Sequence, residues 1–240
     1  VVAVLGLLAV FGRSGVLNQT LIALGLPPIS IYGLHGVVLA HVFLNLPLAT
    51  RMILQGWLAI PAERIRLAQS LGFGPRETFR HLEWPMLRDV VPGVALVILV
   101  ICLTSFAVVI TLGGGPSATT IELAIYQAVR FEFDLSLAAG LAGVQLVLGS
   151  LAALAAWVVT KPAGFGAGLG RELNLSTPAG WRQWADVAVL AAVTLFLTLP
   201  LGAVFLRGLP GLMDLPASVL PAAGRSVLVA LASALIATSA

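Results

Sequence analysis

A few polar side chains stand inside otherwise apolar runs of this chain: His35, His41 and Asn45 in one, Thr104 and Ser105 in a second, Gln145 in a third. Such residues could ligate a metal or relay protons, and their spacing argues against both. His35 and His41 are six apart, which on a helix of 3.6 residues per turn puts them on different faces. No cysteine or carboxylate joins them at a metal-ligand spacing. No Ser/His/Asp set or paired-carboxylate site is evident either, so no catalytic residue, metal or cofactor is expected. The segment Lys161 to Gln183, KPAGFGAGLGRELNLSTPAGWRQ, invites a nucleotide-binding reading through its glycines. Counted from Gly164, however, the sixth position is Leu169, and no Gly-rich loop ends in Gly-Lys-Ser/Thr. That segment is expected to be a linker, with nucleotide chemistry left to another chain.

The elements that hold these residues are dictated by composition. Hydrophobic residues make up 59% of the 240 and charged residues 10%, with mean hydropathy +1.05, a balance that needs a bilayer as solvent. The thirteen basic residues are spread between apolar runs rather than gathered on one face, so nucleic acid is not an expected partner. The single cysteine, Cys102, lies in an apolar run and reads as a small core residue.

A hydrocarbon core of about 30 Å needs roughly 20 apolar residues per helix. Segments from about Ile31 to Gln55, Val90 to Leu112, Ser136 to Val159, Trp184 to Leu206 and Leu220 to Ala240 qualify, and the opening run Val1 to Phe11 reads as the tail of another span. Lipid admits only self-satisfied backbones, and the runs show no alternation of period two, so the expected fold is all-α, a polytopic transmembrane helical bundle. The chain is expected to be a portion of a longer protein. Residues 1–160 are read as the later part of a first bundle, 161–183 as a cytoplasmic linker and 184–240 as the start of a second bundle.

The connection after the second run holds Arg64, Arg66, Arg76, Arg80 and Arg88, with Arg51 just before it, and the linker holds Lys161, Arg171 and Arg182. Both are expected on the cytoplasmic side. The first of them, residues 60–87, predicts two short helices. Pro61 suits a first turn, Ile65, Ala68 and Leu71 share a face, and Gly72 stands where a left-handed cap ends the helix. Pro75 opens the second helix, Phe79, Leu82 and Met86 form its stripe, and Pro85 is expected to bend the chain towards the next span. A cytosolic helix pair with an apolar knuckle fits a docking plug for a soluble partner, each buried Phe79 or Leu71 contributing about 1.5 to 3 kcal/mol.

This loop resembles the coupling-loop signature of binding-protein-dependent ABC importer permeases: Glu-Ala-Ala, three residues, Gly, nine residues, Ile, one residue, Leu-Pro. Arg66, Leu67 and Ala68 occupy the triplet, Gly72 the glycine, Leu82 the isoleucine, and Trp84 and Pro85 the final pair. The spacing matches throughout, while Arg66, Leu67 and Trp84 depart in type. The resemblance implies that this loop sits in a cleft of a cytoplasmic ATPase subunit. The stretches FLNLPLATR (Phe43 to Arg51), HLEWPML (His81 to Leu87) and SFAVVITLGGGPSATTIELAIYQA (Ser105 to Ala128) are similar to thiamine importer permeases, which are related to ferric-iron importer permeases. That likeness implies a bacterial inner-membrane location, a periplasmic substrate-binding protein as partner, and a possible second permease bundle in the full-length chain.

Two groups of site residues complete the expectation. On the outer side, Gly113 to Pro116 break a helix, after which Ile121, Ile125 and Val129 recur every four residues in a short amphipathic helix. Its polar residues, chiefly Glu122, Gln127 and Arg130 with Glu132 and Asp134 beyond, are candidates for meeting the binding protein. Within the spans, Asn45, Thr104, Ser105 and Gln145 are the hydrogen-bonding groups available to a pathway for thiamine, an aromatic cation. No carboxylate lies in a span core to hold a bare ferric ion, which would demand hard oxygen ligands. An ion-coupled secondary transporter is the rival reading; it usually needs ionisable groups near the midplane, and Val90 to Leu112 and Ser136 to Val159 contain none.

Overall fold

The computed structural model describes residues 2–113, 118–159, 180–210 and 216–239. Among them the chain is all-α. Six segments are long and apolar enough to cross a membrane: Val2–Ala23, Leu34–Leu58, Pro75–Leu103, Leu135–Val158, Gln183–Gly208 and Val219–Ala237. The first is interrupted at Gly12 to Gly15, dividing α1 (Val2–Phe11) from α2 (Val16–Ala23). The second is α3 (Leu34–Leu58). Two short helices, α4 (Ala62–Ser70) and α5 (Pro75–Thr78), follow it before α6 (Trp84–Leu103). Beyond α6 lie α7 (Phe106–Leu112), α8 (Ile121–Gln127), α9 (Leu135–Val159), α10 (Trp181–Gly208) and α11 (Val219–Ser239).

Pair contacts set the directions. Gly56 of α3 meets Met86 and Val90 of α6, and Asn45 meets Cys102, so these helices run antiparallel. Gly6 of α1 abuts Pro200 of α10, and Arg207 donates to the Ser14 carbonyl at 3.0 Å, so α1 and α10 run parallel. A Cβ at position 6 would lie 2.7 Å from the Pro200 carbonyl oxygen. Glycine is what lets the two backbones approach. Phe196 of α10 meets Phe43 of α3 edge-on, with centroids 5.5 Å apart.

The core gathers where α1, α3, α7 and α8 meet, around Leu7, Ala40, Phe43, Val109, Leu112 and Leu123. The expected span Val90 to Leu112 is corrected here. Its helix starts earlier, at Trp84, and ends at Leu103. Ser105 then leaves helical geometry at φ −93° and ψ 75°, and α7 begins as a separate buried piece. The hydroxyl of Thr104 donates back to the Val100 carbonyl at 3.1 Å, the local competition by which hydroxyl side chains loosen a helix end. Non-helical backbone is tolerated at membrane depth where protein surrounds it, and both Val108 and Val109 beyond the break are buried.

All five tryptophans, Trp57, Trp84, Trp157, Trp181 and Trp184, fall at one end, where α3 and α9 finish and α6 and α10 begin. That end also carries α4 and α5 with their arginines. Tryptophan concentrates at the level of lipid headgroups. The large residues of α9, α10 and α11 are mostly exposed and aliphatic, as a face turned to acyl chains requires. Most of the expected linker 161–183 lies outside the described residues, as do Gly114, Gly115 and Pro116.

Candidate functional site

The helix pair after α3 is closed by its own backbone. Gly72 has φ +69°; its N–H bonds the Gln69 carbonyl, and the Phe73 N–H bonds the Ala68 carbonyl, each at 3.0 Å. These two bonds form a Schellman cap, which needs a left-handed residue at the glycine position. Pro61 stands just before α4 as its cap, and Pro75 is the first residue of α5. Ala68 is buried beneath the pair, and Arg66 points out. Leu67, Leu71, Phe79 and Trp84 are all exposed, with the Phe79 and Trp84 rings 6.3 Å apart. Leu82 is partly buried and Met86 fully so. Single exposed apolar residues are ordinary; four large ones on one short stretch, beside arginines, form a surface suited to a partner.

Pro85 does not bend the chain back, contrary to the sequence expectation. From Pro75 to Leu103 the backbone is one helical run, widened by a π turn at Phe79–Glu83. Trp84 N–H reaches the Phe79 carbonyl, five residues back. In a regular helix the Pro85 ring would strike the carbonyl four residues earlier. The wide turn immediately before it gives that ring room, so the helix continues.

Inside the bundle, Asn45 is buried; its amide donates to the His41 carbonyl at 2.9 Å and approaches Cys102 Sγ at 3.6 Å. Cys102 in turn lines a cavity of about 150 Å³ between three elements. Leu99, Cys102 and Leu103 come from α6, Thr120 and Ile121 from the start of α8, and Gln145 and Leu148 from α9. Gln145 Oε1 is buried without a hydrogen-bond partner. Thus the structure brings Gln145 and, through Cys102, Asn45 to one place. Thr104 and Ser105 sit instead at the helix break, with Thr104 exposed and bonded to its own backbone.

The inward face of α8 differs from the expected one. Leu123 and Ala128 are buried, Ile121 and Ile125 partly so, and Val129 is exposed. A π turn at Ala128–Glu132 shifts the register that a four-residue repeat assumed. Thr120 caps α8 by accepting from Leu123 N–H at 3.5 Å. Gln127 and Arg130 are exposed; Glu122 is partly buried and its Oε2 is enclosed without a partner. Asp134 accepts from Leu137 N–H at 2.9 Å and so caps α9.

Asn18 is the polar residue that the sequence reading passed over. It is 1% exposed, donates at 2.8 Å to the carbonyls of Gly12 and Ile29, and accepts from Ile29 N–H at 2.8 Å. It ties the interruption after α1 to the segment before α3. The glycines at 12 and 15 marked a turn there, but nothing in the pattern named its clamp.

Over 210 residues, 87% of its length, the chain is 38% identical to the thiamine transport system permease protein of Brucella abortus strain 2308. Over 147 residues it is 52% identical to the protein of the same name in Escherichia coli K12 and 42% identical to that in Haemophilus influenzae. This chain is a homologue of transport-system permeases. Its match spans 39% of the Brucella permease and 27% of the Escherichia coli permease. No family model matches the chain, and no solved structure does. Six apolar segments among the described residues, together with its permease relatives, make it a multi-pass membrane protein.

Proposed function

We propose that the chain is part of the membrane-spanning permease of an ABC importer in the bacterial inner membrane, with thiamine as the cargo. The observation that carries the reading is the 52% identity over 147 residues to a permease named for thiamine transport. The relatives are longer than the matched portion, which supports a second bundle in the full chain with its own docking loop.

In this reading the helix pair at residues 60–87 docks in a separate ATPase subunit. Leu67, Leu71 and Phe79 supply the apolar contact, Arg66 the flanking charge, and Ala68, Gly72, Leu82 and Pro85 hold the pair in shape. Hydrolysis energy must arrive by contact, since no phosphate-binding loop occurs in this sequence. Gln127 and Arg130 face a periplasmic substrate-binding protein; Glu122, with one oxygen enclosed, contributes least of the three. Asn45 and Gln145 are the interior pathway groups, with Thr104 and Ser105 at the break above them.

The test is growth. In cells lacking both thiamine synthesis and their own thiamine importer, the full-length protein, with its binding protein and ATPase, should restore growth on low external thiamine. Rescue of iron uptake with no thiamine phenotype would replace the cargo and leave the permease reading standing.

A further inference from the structure

One face of α3 changes character halfway along the helix. Val37, Ala40, Leu44, Pro47, Arg51 and Leu54 follow one another at alternating steps of three and four, the spacing of a single helical stripe. Val37 and Ala40 are 5% and 0% exposed, inside the core that α3 shares with Val109 and Leu112 of α7. From Leu44 onwards the stripe is open: Leu44 is 43% and Leu54 51% exposed, and Pro47 and Arg51 are exposed with them. The length of α7 accounts for the change. It has seven residues, about 10 Å of helix, and its Leu112 carbonyl accepts from Gly33 N–H at 2.8 Å beside the start of α3. Its cover of α3 therefore ends near Ala40.

Arg51 decides what the open half meets. It lies within the span Leu34–Leu58, six residues before Trp57 and so about 9 Å deeper along the helix. Gln55, one turn on, is exposed beside it. A guanidinium at that depth is disfavoured against acyl chains and belongs against protein or water. The exposed aliphatic faces of α9, α10 and α11 suit lipid; this stripe does not. We propose that the stripe from Leu44 to Leu54 is a water-facing wall of the cytoplasmic half of the translocation path, roofed on the outer side by α7, with Arg51 as its fixed charge. The proposal rests on the importer reading and deepens it by naming one face of the path. Towards a cationic cargo such as thiamine, Arg51 makes the inner mouth a place that the cargo leaves readily and re-enters poorly.

Leu54 and Leu154 form a matched pair for the test. Both are exposed, and each stands three residues before a tryptophan, Trp57 or Trp157. Leu154 is on α9, on the side away from the buried Ala138 and Ala152. Each is replaced by cysteine in the full-length permease, whose other cysteines are removed, and assembled with the ATPase in inside-out vesicles. Membrane-impermeant methanethiosulfonates should modify Leu54→Cys and leave Leu154→Cys intact. Adding Arg51→Gln should slow an anionic reagent at Leu54→Cys and speed a cationic one, each about threefold, the influence of one charge a helical turn away in water. Arg51→Lys should leave both rates unchanged. If Leu54→Cys fails to assemble with the ATPase, Gln55→Cys takes its place. Modification at neither position would mean that lipid or another helix covers the stripe, with Arg51 reaching to the headgroups, and would overturn the wall. Equal modification at both would overturn it too, and rates indifferent to Arg51→Gln would remove Arg51 from it. Thiamine uptake by right-side-out vesicles of the cysteine-free parent, supplied with the binding protein, separates the two readings: uptake with Leu54→Cys unmodified removes the wall alone, and modification without uptake removes thiamine as cargo.

Discussion

Gly72 carries a backbone requirement that no side-chain contact reveals. A Cβ there would meet nothing within 4 Å, so any penalty for a larger residue comes from φ +69°, about 1 to 2 kcal/mol for an ordinary residue. Gly72→Val should therefore open the Schellman cap and splay α4 from α5, while Gly72→Asn, which tolerates the left-handed region, should not. Both variants are expected to insert. Copurification of the ATPase should fall for Val and hold for Asn; equal retention by both would show that the cap plays no part in docking. Asn18 makes the opposite kind of demand, since its side chain is enclosed and serves backbone groups from two segments. Replacing it by Leu leaves Ile29 N–H unpaired, so Asn18→Leu should lower stability by about 1 to 3 kcal/mol. Thermal unfolding in detergent measures this, and an unchanged midpoint would mean water fills the role.

Two elements depart from regular helix, and each departure has a local cause. The π turn before Pro85 lets α5 and α6 form one continuous helical run with no intervening loop. The second, at Ala128–Glu132, ends in Phe133 at φ 56°, a left-handed non-glycine residue, and Asp134 then caps α9. The contact of α1 with α10 depends on one missing side chain. With the Pro200 carbonyl 2.7 Å from an added Cβ, Gly6→Ala must already shift the helices, and Gly6→Leu must part them. The expected loss is about 1 to 3 kcal/mol for Leu, less for Ala, read from unfolding midpoints of the full chain. An unaffected Gly6→Leu would mean that this contact contributes nothing to stability.

At the scale of the molecule, ends of the bundle are marked by chemistry. Tryptophans and the arginines of α4 and α5 share one end; Arg207, Ser14 and the start of α8 share the other. If the arginine-rich end is cytoplasmic, as positive-inside bias requires, Arg76→Cys and Thr119→Cys in a Cys102→Ala background should label from opposite faces of the membrane. Labelling of both from one side would end the topology.

Span number, helix class and the glycine-capped turn between α4 and α5 were legible in the sequence because each follows from local quantities: length of apolar run, absence of period two, and Gly or Pro at helix ends. The limits of α9, expected as Ser136 to Val159 and found as Leu135–Val159, show how far a plain apolar run carries. Where two influences compete at one place, pattern alone fails. A run from Val90 to Leu112 looks continuous, yet hydroxyl-to-backbone bonds at Thr104 and burial of Val109 divide it. Pro85 looks like a break, yet a widened turn absorbs it. The cavity at Gln145, the clamp at Asn18 and the seat of Pro200 on Gly6 each join groups from separate parts of the chain. Such pairings are set by which faces pack together, and only the tertiary structure decides that.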